Sequence, residues 1–170
     1  LFDNDVYEEA LSITVDDDAT DVNVRTTQAN TTEISVDFQF PQGLFGVDKK
    51  GNFVDAWKRV DIQFRKVGTT TWYGVAAPTP GITISSDAMR EYSLSTYEIR
   101  SNANKQLRVG IRWQVDAGQY DVQVTTYAMG WATSVQHVGT MVWTALRSIS
   151  PKPASSTGTL KLAMRIKATD

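Results

Sequence analysis

Four aspartates crowd into six positions, Asp16-Asp17-Asp18-Ala19-Thr20-Asp21. Hard carboxylate oxygens at that density suit a calcium ion, but the run lacks the glycine and the distal glutamate of an EF-hand loop. It reads as a solvated strand end or linker kept open by self-repulsion, and no structural calcium is expected. His137, in Ser134-Val135-Gln136-His137-Val138, is the single histidine of the chain. Alone it cannot build a multi-histidine metal centre, and no Gly-x-Ser-x-Gly elbow offers it a nucleophile. An exposed or hydrogen-bonded loop histidine is the expectation. Carboxylate pairs for glycoside hydrolysis are assembled in space and not by spacing. Asp61 and Asp121 fall on outward positions of alternating segments. The reading is therefore no catalytic residue, no cofactor site and no metal ligand. Asn30-Thr31-Thr32 fits a glycosylation acceptor by pattern and is taken as chance.

The aromatic residues suggest a different chemistry. Trp57, Trp72, Tyr73, Trp113, Trp131 and Trp143 include more indole than a small core needs. Exposed Trp and Tyr faces stack on sugars or fill pockets on a partner. Trp113 lies on the apolar face of its segment and reads as core. Trp72-Tyr73 follows Gly68-Thr69-Thr70-Thr71, and in a strand one of the pair must point outward. Trp131 sits between Gly130 and Ala132, in or near a loop. Trp72, Tyr73 and Trp131 are the candidate contacts, to a partner subunit or to a glycan. Residue type alone does not choose between them.

These residues must be positioned by strands, because the dominant pattern has period two. Ile34, Val36, Phe38 and Phe40 alternate with polar residues, as do Val60, Ile62 and Phe64. The same holds for Leu107 to Val115, Tyr120 to Val124 and Leu160 to Ile166, with further strands expected at Val22 to Thr26 and Met141 to Ile149. One dry and one wet face per strand is the mark of antiparallel sheets covered on one side. The best helical candidate is one turn around Ser86 to Tyr92, with Ser85, Ser86 or Asp87 as N-cap. Gly-, Pro- and Asn-rich turns punctuate the strands, among them Lys50-Gly51-Asn52 and Ala117-Gly118.

At 170 residues the chain suits one domain with flanking pieces and can bury a core without staples. It has no cysteine, which excludes disulfides and thiolate chemistry. Its net charge of −2 argues against nucleic acid as partner, since phosphate neutralisation needs a dense basic face. No apolar run is long enough to span a membrane as a helix. The chain opens on Leu1 without an apolar leader and is expected to be a piece of something longer. Residues 1–21 are expected to be an acidic linker or edge segment, 22–149 the folded domain, and 150–170 a linker and the first strand of a following module. Two excursions, about 42–57 and 74–106, make the domain longer than a minimal seven-strand sandwich.

Gly118-Gln119-Tyr120-Asp121-Val122-Gln123-Val124 places a tyrosine at the head of a late strand, directly after a glycine turn. Ig-like and fibronectin type III sandwiches hold a tyrosine corner there, its hydroxyl bonded back to the backbone. Tyr120 and Trp113 are accordingly read as structural. The fold class expected is all-β, an Ig/fibronectin type III-like antiparallel β-sandwich with insertions.

Phe40-Pro41-Gln42-Gly43-Leu44-Phe45, then Val60-Asp61-Ile62-Gln63-Phe64-Arg65 and Trp72, resembles the central part of the host specificity protein J family, the tip attachment proteins of long, flexible-tailed phages and prophages. Gln119 to Val124 is similar to the family's Tyr-x-Val-x-Val strand, and Val142 to Ile149 to its closing Trp–small–small–Leu–Arg–Ser–Ile strand. Leu160 to Asp170 resembles the opening of the next module, and the quoted motifs do not extend to the excursion at 74–106. The resemblance implies a non-enzymatic virion protein, made in the bacterial cytoplasm and placed at the distal tail. It implies a trimer of the parent chain, contacts with other tail proteins, and host contact through other modules. The runner-up reading is a carbohydrate-binding or adhesive sandwich, and a glycan-degrading domain stands third.

Overall fold

The computed structural model describes residues 4–15, 22–76, 79–131 and 136–152, with the side chains of 127–129 and 131 outside that description. Its strands form where side chains alternate. One sheet runs β1 (Asn4–Val15), β14 (Met141–Pro151), β3 (Thr31–Phe40), β11 (Leu107–Gly118) and β8 (Thr83–Ile84), in that spatial order. The second runs β2 (Asn23–Thr26), β12 (Tyr120–Trp131), β6 (Ala56–Lys66), β10 (Thr96–Ser101) and β9 (Met89–Ser93), with the short β7 (Tyr73–Gly74) also on β6. A small third sheet joins β13 (Gln136–Val138), β4 (Phe45–Val47) and β5 (Phe53–Val54). The pairings in all three are antiparallel. No helix occurs among the described residues. This is the all-β, fibronectin III-like sandwich that the alternation and the tyrosine position lead one to expect.

Ile34, Val36, Phe38 and Phe40 of β3 and Val109, Ile111 and Trp113 of β11 point inward from the first sheet. Val60 and Ile62 of β6, Tyr97 and Ile99 of β10, and Val122 and Val124 of β12 meet them from the second, making one continuous core. The ring centroids of Phe64 and Trp113 lie 5.8 Å apart across the gap. The Trp113 side chain is fully buried, with its indole nitrogen unbonded among the described residues.

The structure departs from the sequence reading at two places. Residues 4–15 form a strand of the first sheet, paired with β14 from Asn4 opposite Pro151 to Val15 opposite Met141. Asp5 and Glu8 of β1 are exposed and Glu9 is half-buried at the edge, paired with Arg25, while Leu11, Ile13 and Val15 turn to the core, so acidity and strand pairing are compatible. Strand β1 thus lies at the edge of the first sheet, ahead of residue 22. The second departure is at 86–92, where no helical turn forms. Ser86 does cap: its hydroxyl accepts the Ala88 N–H at 3.2 Å and its carbonyl accepts the Met89 N–H at 3.0 Å. Those bonds make a turn that launches strand β9, because Ser and Asp favour turns as readily as helix starts. The segment from Leu160 onward and the Asp16–Asp21 run lie outside the described residues.

The excursions are tied together at Gly43. Its φ is +90°, and a Cβ there would overlap the backbone of Ala103 and Lys105. Only glycine meets both demands. Next to it, Leu44 forms a bridge with Ala103, so the 42–57 and 74–106 excursions meet along their backbones.

The tyrosine corner rests on four hydrogen bonds. The Tyr120 hydroxyl donates to Asp116 O at 2.6 Å, and burial, helped by the Asp116 charge, holds the phenol above its ordinary pKa. The Tyr120 N–H donates to the Thr27 hydroxyl at 2.9 Å, and Thr27 N–H returns a bond to Tyr120 O at 2.8 Å. Gln119 Nε2 donates to Thr27 O at 3.0 Å. Replacing Tyr120 with Phe leaves the ring packing intact and removes one bond. The expected loss is about 0.5–1.5 kcal/mol, read as a lower denaturant midpoint at unchanged slope. An unchanged midpoint would mean that water replaces the bond without cost.

Candidate interaction surface

Trp72 and Tyr73 come together on the edge of the second sheet, where β7 pairs Tyr73 with Phe64 and Gly74 with Gln63. Trp72 is half-buried, and the Arg65 guanidinium sits 4.5 Å from its ring centroid. That guanidinium is itself fixed by Asp121 at 3.0 Å. One face of the indole is thus already covered. Tyr73 is more than half exposed, and beside it Leu94, at the turn between β9 and β10, is 81% exposed. Trp72, Tyr73, Leu94 and Ser95 line a groove of about 520 Å³. A second groove of about 440 Å³ runs from Tyr73 past Lys66 and Asp116 to Tyr120.

Trp131 does not join them. Its backbone ends β12 opposite Ala56, whereas Tyr73 stands opposite Phe64, eight positions along β6. At about 3.3 Å per residue that is roughly 26 Å. The Trp131 side chain lies outside the described residues. The three aromatics singled out in the sequence therefore do not form one platform. His137 lies on β13, exposed at its edge.

A second cluster went unread in the sequence. Glu98 of β10 is buried, its side chain 2% exposed, on the outer face of the second sheet. Its carboxylate accepts from Arg90 of β9 at 2.7 Å, from Arg100 at 3.2 Å and from Arg59 of β6 at 3.3 Å. The register sets this up: Arg59 stands opposite Glu98, and Glu98 opposite Arg90. Two aromatic rings brace the cations, Tyr92 at 3.8 Å from Arg59 and Trp57 at 5.3 Å from Arg100. Burial on its own would raise the Glu98 pKa, but the hydrogen bonds from Arg90, Arg100 and Arg59 outweigh it and hold the carboxyl below its ordinary 4.5. The signal was present in the sequence, since Tyr97 and Ile99 alternate with Glu98 and Arg100. The helical reading of 86–92 hid the partner strand.

With fold and surfaces in hand, comparison with known proteins gives a family. A family model described as tip attachment protein J, FNIII-A domain, matches residues 5–152. This chain belongs to that family. No curated protein matches it. The matched range runs from the second residue of β1 to just past the end of β14, so the family's limits coincide with the paired first and last strands. As a tip attachment protein J domain it is a structural component of a phage tail, working among other tail proteins.

The Glu98 cluster makes the stability of this J-family domain depend on acid. A carboxylate whose folded pKa is depressed contributes stability above its unfolded value and loses it as pH falls through the folded one. Wild type and Glu98→Gln should therefore differ most in melting temperature near neutral pH, and the gap should close as pH drops below 4.5. A gap that widened on acidification would show that Glu98 is not held as a carboxylate.

Proposed function

We propose that this domain is a building block of the distal tail hub and host-adhesion apparatus, with a structural and not a catalytic role. The observation that carries the reading is the β1–β14 pair. Asn4 and Pro151 stand side by side, so chain on either flank leaves from one end of the sandwich. A module held at one end can stand against neighbours in a ring while keeping its sheet faces clear. Those faces are charged: Arg112 pairs with Glu33, Arg65 with Asp121, and Arg147 with Glu8. Obligate interfaces are depleted in such groups at their centre. Trimerisation of the parent chain is thus assigned mainly to neighbouring modules, with this one kept in place by effective concentration. Synthesis in the bacterial cytoplasm before assembly belongs to the same reading.

Immunogold labelling of intact tail particles with antibody raised against this domain tests the proposal. Label at the distal end, on particles that adsorb to cells, is the expected result. Label spread along the tube, or confined to the head-proximal end, would overturn it.

A further inference from the structure

We propose that the outer face of β9, β10 and β6 binds an acidic glycan, with Arg90 and Arg100 holding its phosphate or carboxylate and Tyr92 packing against its sugar ring. This goes beyond a scaffolding role, and it rests on the geometry of the face, not on where the module sits in a tail.

Charge is the first observation. Three guanidiniums converge on the single buried carboxylate of Glu98, and Asp55 reaches only Arg100, at 3.9 Å. One positive charge among these five groups is left uncompensated. Elsewhere among the described residues the ion pairs balance or lean acidic: Arg25 has Glu9, Arg65 has Asp121, Arg112 has Glu33, and Arg147 has both Glu8 and Asp37. Among the ion pairs of the described residues, this is the cluster in which cations outnumber carboxylates.

Unspent donors are the second. A guanidinium carries five N–H groups in a planar fork that matches carboxylate and phosphate oxygens in pairs. Arg90 and Arg100 each give one nitrogen to Glu98. Their side chains are 64% and 45% exposed, so solvent and solutes reach the remaining donors, apart from the Arg100 nitrogen that faces Asp55 at 3.9 Å.

Third, the donors are already placed. Glu98 fixes them from below, and Trp57 lies beneath Arg100. Gly130 stands opposite Trp57 on β12, where any Cβ would overlap the indole, so the glycine lets that ring lie flat along the sheet. An anion meeting pre-set guanidiniums avoids most of the ordering cost of binding.

The last observation points to a sugar and not to a bare ion. Ser93 pairs with Thr96 and Glu91 with Tyr97, which leaves Tyr92 as the extra residue of a β-bulge. Bulges re-aim a side chain, and this one leaves Tyr92, two residues after Arg90 on β9, half exposed with Arg59, the third guanidinium on Glu98, against its ring. An aromatic ring next to fixed oxyanion donors is a surface on which a charged sugar can stack and hydrogen-bond together.

The test is titration of the full 170-residue chain, followed by amide chemical shifts, with glucose 1-phosphate, glucuronate, inorganic phosphate and glucose. Both acidic sugars should bind in the millimolar range and more weakly as salt rises, shifting amides of β9 and β10. Glucose should not bind. Arg90→Gln, on the most exposed of the three arginines, should weaken both by about tenfold, one charge-assisted contact. Tyr92→Ala should abolish the advantage of glucose 1-phosphate over inorganic phosphate while leaving phosphate binding in place. Absence of binding by either acidic sugar, or binding that Arg90→Gln leaves unchanged, would overturn the site. Inorganic phosphate binding wild type as tightly as glucose 1-phosphate would overturn the glycan.

Discussion

The pairing of β1 with β14 is the constraint on which the rest of the domain depends. It runs the length of both strands, with one irregularity between Ala10 and Ile13. It brings Leu11, Ile13 and Val15 onto the core beside Trp143 and Leu146. Its far end is pinned to the other sheet: the buried Lys58 of β6 donates to the Val15 carbonyl at 3.1 Å. On the outer face Arg147 of β14 binds Glu8 of β1 at 2.6 Å and also Asp37 of β3, so one guanidinium ties three neighbouring strands. Gly110 of β11 leaves the room that Asp37 occupies, since a Cβ there would overlap its carboxylate. The near edges of the two sheets are linked by Arg25 of β2 and Glu9 of β1, 3.7 Å apart. Being exposed, that link contributes little by itself; burial carries the edge.

Given this closure, the outer surfaces are free to vary. The first sheet presents balanced or acidic pairs. The second presents arginines around Glu98 at one place and a partly apolar edge at Tyr73 and Leu94 at another. A single fold thus supports two surfaces of different chemistry, Glu98 opposite Arg59 and Tyr73 opposite Phe64 on the same strand β6.

Much of this architecture was legible in the sequence, for a physical reason. β3, β6, β11, β12 and β14 each bury one face, and burial on a pleated strand writes itself as alternation. Tyr120 was legible because a glycine turn must precede the corner. β1 was not, although Leu11, Ile13 and Val15 alternate, because the aspartates at 16, 17, 18 and 21 gave residues 1–21 the look of an acidic linker or edge segment. Whether acidic residues face water on a strand or float in a tether is decided by a partner 140 residues away, which local pattern does not reveal. β9 was hidden because a serine that starts a turn uses the same bonds as one that starts a helix. The Glu98 cluster is assembled from three strands, so its members are neighbours only after the register is set. Trp72, Tyr73 and Trp131 were selected by residue type, and type does not report distance: the backbone sets the last apart from the first two.

The central claim is that residues 4–15 are part of the folded unit and close it against β14. Burying side chains such as Leu11, Ile13 and Val15 contributes roughly 1.5–3 kcal/mol each when complete, against a total domain stability of about 5–15 kcal/mol. The most direct measurement is the denaturant unfolding of the chain with residues 1–15 deleted, compared with the whole. The account predicts the loss of most of the stability or of cooperative unfolding altogether. A deletion that unfolds at the same midpoint with the same slope would contradict it, and would return the segment to the role of a linker.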